Sequence, residues 1–138
     1  MAGSQAFLTL GAIAIFMYVG LNIHRTYISA NSRTIDKQEQ IDAVNYGITL
    51  TEEMYSQAFN YDSLDTYYGN LEDLNNSDER KNFVTNLGDT LAATISLSAE
   101  QPLLLGAKGR IATITVYIRE NGEYKEMSEH TASIIPFN

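Results

Sequence analysis

AFLTLGAIAIFMYVGLNI, residues 6–23, is the stretch whose reading decides the fold. It runs eighteen residues without a charge, and only Thr9, Tyr18 and Asn22 interrupt it as clearly polar side chains. At ~1.5 Å per residue, a helix of this length covers ~27 Å, the short end of what crosses a hydrocarbon core. A cleaved secretory signal would carry basic residues ahead of the run and a small-x-small site behind it. Here Met1 to Gln5 holds no Lys or Arg, and Asn22-Ile23-His24-Arg25 follows. The segment is therefore expected to be retained, with the mature chain starting at Met1 or at most a few residues later.

Beyond the run, no Pro and a single Gly, Gly47, precede Asn60, so one long helix over 1–59 is the economical reading. Its middle, Ser29 to Gln40, has only Ala30 and Ile35 as apolar residues and reads as a solvated stalk or a place where the helix loosens. From Ile41 onward, Ile41, Val44, Ile48, Tyr55 and Phe59 recur at helical spacing, with Leu50 and Met54 widening the stripe. This stripe is expected to dock the helix onto the rest of the chain. Residues 60 to 90 lose the period and carry six acidic side chains from Asp62 to Glu79, which reads as a polar loop.

Strand patterns follow. Leu91, Ala93, Ile95 and Leu97 alternate with small or polar residues, as do Ala112, Ile114, Val116 and Ile118. Asn121-Gly122 sits between two β-rich runs and suits a two-residue type I′ turn, in which both residues take positive φ. Strands are predicted near 90–99, 110–120 and 123–135. The expected fold class is α+β: a long N-terminal helix, apolar in its first half and amphipathic in its second, packed on a small antiparallel sheet. The expected division is 1–59 for the helix and 60–138 for the headpiece.

The chain has 138 residues, enough for one ordinary domain. Lys and Arg number 9 against 17 Asp and Glu, a formal charge of −8, so no basic surface for nucleic acid is expected. The absence of Cys removes thiolate nucleophiles, disulfides and Cys-held metal. His24 and His130 are the only histidines, and no nucleophile-elbow, zinc-protease or phosphate-loop motif is present, so no catalysis and no cofactor are expected. The carboxylates Asp62, Asp65, Glu72, Asp73, Asp78 and Glu79 match no EF-hand spacing and read as a solvated face rather than a metal site. Asn75-Asn76-Ser77 fits the N-glycosylation pattern. Leu103-Leu104-Leu105 beside Gly106 would be exposed on a single copy and reads as an inter-subunit contact.

An apolar N-terminal helix beginning SQAFLTLGAIAIFMYVGLNIHRTY, continuing as an amphipathic helix and ending in a small antiparallel sheet, resembles the type IV pilins, bacterial or archaeal. The resemblance implies a structural, non-enzymatic subunit that polymerises with identical copies into an extracellular helical filament. It implies an inner-membrane precursor before assembly, processing by a prepilin peptidase and handling by a pilus assembly machinery. Carried onto this chain, the filament core would be Phe7, Leu8, Leu10, Ile13, Ile15, Phe16, Met17, Val19, Leu21 and Ile23. Counted from Met1, Gln5 stands where bacterial members usually carry Glu and would offer a neighbour a hydrogen bond instead of a salt bridge; counted from a cut after Gly3 the position is Leu8, and the Cys pair common near the C terminus is missing. The alternative is a single-span membrane protein whose small domain binds another envelope component or assists assembly as a minor pilin-like factor. His24, Arg25, Arg33 and Lys37 follow the span and nothing basic precedes it, which by the positive-inside rule favours a cytoplasmic headpiece unless a basic leader is removed.

Overall fold

The structure, a computed structural model, describes residues Ala2 to Phe137; Met1, the earliest start expected for the mature chain, lies outside the described residues. Two compact units make up the chain, Met1–Gln38 and Glu39–Asn138. Helix α1 (Ala2–Ser56) supplies all the described residues of the first unit and the opening of the second. A 3₁₀ turn (Gln57–Ser63) and the short helix α2 (Leu64–Tyr68) follow it. The second unit begins at Glu39 rather than at residue 60 because α1 enters its core from Ala43 onward.

The sheet is antiparallel. Strand β4 (Lys108–Glu120) lies between β2 (Thr90–Leu97) and β5 (Glu123–Ile134); β1 (Lys81–Val84) adds outside β2, and the two-residue β3 (Gln101–Pro102) pairs with the start of β4. The predicted alternation sets the register: Leu91 faces Ile118, Ala93 faces Val116, Ile95 faces Ile114 and Leu97 faces Ala112 across the β2–β4 pair. Directly opposed residues share a face, and these build the buried side of the sheet. Asn121 at φ 51° and Gly122 at φ 86° close β4 onto β5 in the expected turn. In β5, Ser128 opposes Val116 but Glu126 opposes Tyr117, so Met127 is an extra, unpaired residue, a bulge that packs it against the core.

Four α1 residues cover this face: Ala43, Gly47, Leu50 and Met54 are all buried, joined by Leu64 and Tyr68 from α2. This corrects the expected docking stripe. Ile41 (52% exposed), Ile48 (44%), Tyr55 (48%) and Phe59 (72%) point away from the sheet, and Val44 is only half-buried. At 3.6 residues per turn, the exposed set lies about 130° around the helix from the buried one. The reason is steric. A Cβ at Gly47 would overlap the imidazole of His130, so the helix sits close enough that small residues must face β5. The strand β1, inside the region read as loop, is short and lies at the sheet edge, where Phe83 stacks on Tyr46 with ring centroids 5.1 Å apart.

Candidate assembly surface

The first unit presents the apolar segment. Among its described residues, none carries a formal charge from Ala2 to Ile23, and the large side chains are exposed on every side of the helix, Phe7 at 78% and Phe16 at 83% among them. Leu8, Leu10, Ile13, Ile15, Met17, Val19, Leu21 and Ile23 are likewise exposed. Two threonine hydroxyls in and just beyond the run are satisfied within the helix. Thr9 Oγ1 donates to the Gln5 carbonyl at 2.9 Å, and Thr26 Oγ1 to the Asn22 carbonyl at 2.9 Å. A helix whose hydroxyls bond back to its own carbonyls shows lipid, or a packed neighbour, few unmet donors. By length and composition, α1 can cross a membrane.

The second unit has its own exposed apolar residues. Besides Ile41, Ile48, Tyr55 and Phe59, the loop between β3 and β4 exposes Leu104 at 90% and Leu105 fully, while Leu103 is half-buried. Leu105 holds φ 64° in the left-handed region, unusual for a leucine, in a tight loop closed by Leu103 N–H donating to the Ala107 carbonyl at 2.7 Å. Phe59 meets Phe137 at 4.9 Å between ring centroids.

Polar contacts tie this unit together. Tyr68 donates to Glu53 at 3.0 Å, and Lys81 approaches the same carboxylate at 3.4 Å, linking α1, α2 and β1. Burial and this carboxylate both raise the Tyr68 pKa. Burial, helped by Glu53, also pushes the Tyr46 phenol up to about 12. Arg110, largely buried, donates to the Ser98 carbonyl and to Asp65 at 2.8 Å each, fastening α2 to β4; this hydrogen bond holds the Asp65 carboxyl below its usual range. Tyr61 and Glu100 line the same cleft, where burial first and then the Glu100 carboxylate raise the Tyr61 pKa.

The acidic loop is held by its own side chains. Asp73 accepts the Asn75 N–H, Asn76 donates to Glu79, and Glu72 accepts from Ser96. Asn75 is exposed. Among the described residues, no three His, Asp or Glu side chains are placed to share a metal ion. His130 is an interface residue: its Nε2 lies 3.2 Å from Ser128 Oγ, which in turn lies 3.4 Å from the Ala43 carbonyl of α1.

The expected core residues 7–23 thus sit together on one helix, whereas the expected docking residues are split off from the true docking face. Sequence reasoning placed Leu50 and Met54 only at the margin of the stripe and missed Ala43 and Gly47, which complete the buried face. Their spacing is as helical as that of the stripe chosen, and the lone Gly after the apolar run was the available signal. Comparison with protein-family models, with curated proteins and with solved structures finds no match to this chain.

Proposed function

We propose that the chain is the structural subunit of an extracellular type IV pilus-like filament, held in the inner membrane before assembly and polymerised through its apolar N-terminal helix. The observation that carries the reading is the charge-free segment exposed on every side from Phe7 to Ile23, joined in one chain to a compact α+β unit. A segment apolar on one face would suit a core. One apolar all round needs a complete apolar surrounding, which either lipid or a ring of identical helices provides. Burying ~1,500 Å² of such surface from water is worth ~35 kcal/mol at ~25 cal/mol per Å², before ordering entropy is deducted. Subunits would leave the bilayer by exchanging lipid contacts for contacts with neighbouring helices. The resemblance adds prepilin peptidase processing and a pilus assembly machinery as partners.

Electron microscopy of the full chain, of Ile15→Lys and of residues 24–138 tests this. The full chain is expected to form helical filaments. Lys at position 15 places an ammonium more than two turns from either end of the segment, and a few kcal/mol per subunit of desolvation should abolish assembly. Filaments of normal diameter from Ile15→Lys or from the truncated chain would overturn the reading. The second reading, a single-span anchor for a domain that binds another envelope component, rests on Arg25, Arg33 and Lys37 following the span. Protease protection of the headpiece in sealed cells, with no filaments present, would favour it.

A further inference from the structure

We propose that in the filament α1 helices of adjacent copies pack in parallel with a fixed offset, Leu21, Ile28 and Ile35 of one copy lying against Ile41, Ile48 and Tyr55 of the next. The inference rests on the filament reading and adds the register to it. All six side chains are between 44% and 60% exposed. Each set of three repeats at seven residues, and each member of the first set stands twenty positions before its counterpart, so one offset forms all three contacts at once. A seven-residue repeat is the period at which side chains of one helix enter the gaps of another; a lipid surface demands no such spacing. Nor does the second set serve its own sheet, which takes the Ala43, Gly47, Leu50 and Met54 face instead.

Charge selects the offset. Residues 39–55 carry Glu39, Asp42, Glu52 and Glu53 and no basic residue; residues 19–35, which the offset sets beside them, carry Arg25 and Arg33 and no acidic residue. In-register pairing would set four acidic residues of one copy beside the same four of its neighbour. The offset sets a net charge of +2 beside −4 and so disfavours the competing arrangement as well as favouring this one. The contact uses a different surface on each copy, is therefore head-to-tail, and propagates instead of closing as a dimer.

The chain contains no cysteine, so introduced thiols report on this contact alone. Filaments sheared from cells making the full-length Ile28→Cys/Ile48→Cys protein are expected to give, after brief oxidation, a disulfide-linked ladder from dimer upward on a denaturing gel. The single variants Ile28→Cys and Ile48→Cys should stay monomeric. Leu21→Cys/Ile41→Cys should ladder too, and the off-register pair Ile28→Cys/Ile41→Cys should not. Dimers from Ile48→Cys alone would establish in-register pairing and overturn the proposal. Intact filaments in which neither matched pair cross-links would overturn the register while leaving the filament reading standing. Failure of the unaltered chain to form filaments would overturn both.

Discussion

Replacing Gly47 by Leu is expected to lower the stability of the second unit by about 2 kcal/mol, the net of about +1, −1 and −2 kcal/mol in the terms that follow. Gly47 is buried, and a Cβ there would overlap Cδ2 and Nε2 of His130. Removing a helical Gly returns about 1 kcal/mol of helix propensity. Turning the imidazole aside gives up its 3.2 Å contact with Ser128 Oγ, about 1 kcal/mol. Forcing a Leu side chain into a filled interface costs a further ~2 kcal/mol. In a unit of this size the melting temperature should fall by about 10 °C. Thermal melts of the full chain in detergent micelles, followed by near-ultraviolet circular dichroism of the tyrosines, measure this. Combining the change with His130→Ala should recover part of the loss, because the ring that Leu displaces is already gone. Ile48→Ala, on the exposed face, should stay within about 0.5 kcal/mol. The opposite pattern, a neutral Gly47→Leu and a costly Ile48→Ala, would refute the close approach of α1 to β5 as the reason for the docking face.

Gly122→Val is expected to cost about 1 kcal/mol or more, since a β-branched residue resists the observed φ of 86°; the same melts check it, and an unchanged midpoint would count against the type I′ turn. Raising the pH should leave stability unaffected up to about 10 and erode it between about 10 and 12. The folded state holds the Tyr46 proton up to about 12, whereas the unfolded chain releases it near its ordinary value, so the stabilisation is complete below the unfolded value and is lost on passing the folded one. Tyrosinate absorbance should show a late-titrating component, and Tyr46→Phe should reduce it without abolishing it, since Tyr68 is raised as well; simultaneous titration of all tyrosines near 10 would contradict it. Replacing Arg110 by Met should return the Asp65 carboxyl toward its ordinary range, readable by carbon NMR titration. An Asp65 titration that does not move would show that another group perturbs it.

Much of the fold was legible because its signals are local. Alternation over Leu91–Leu97 and Ala112–Ile118 depends only on the two-residue period, and Asn121-Gly122 carries its turn geometry in its own φ preferences. The docking face was not local. Both stripes of α1 have helical spacing, and choosing between them requires knowing that His130 and Ser128 of β5, more than eighty residues away in the chain, lie under the helix. Hydrophobicity pointed to the wrong face because Ile41, Ile48 and Tyr55 are larger than Ala43 and Gly47, and size is what excludes them from so close an approach. Strand β1 escaped notice for a related reason: four residues at a sheet edge, with Phe83 and Val84 still exposed, give too short a pattern to stand out from an acidic loop.

The use of Ala43 and Gly47 against the sheet has a consequence for how stability and assembly are divided. A soluble helix buries its largest apolar residues against its own core and leaves small or polar ones to water. Residues 39–56 do the reverse in part, spending Ala43 and Gly47 on the sheet and leaving Ile41, Ile48 and Tyr55 outside. Those outer residues contribute little to the fold of a single copy, and an aqueous surface would be served as well by charged side chains there. Their apolar character, in the same chain as an apolar segment exposed from Phe7 to Ile23, makes sense if both are covered after folding by the same kind of neighbour. Substitutions on α1 should therefore separate cleanly: changes at Gly47, Leu50 or Met54 lower the melting temperature of the single copy, while Ile48→Asp leaves that temperature within about 2 °C and reduces filament yield. An Ile48→Asp protein that melts early yet assembles normally would show that the outer stripe belongs to the fold after all.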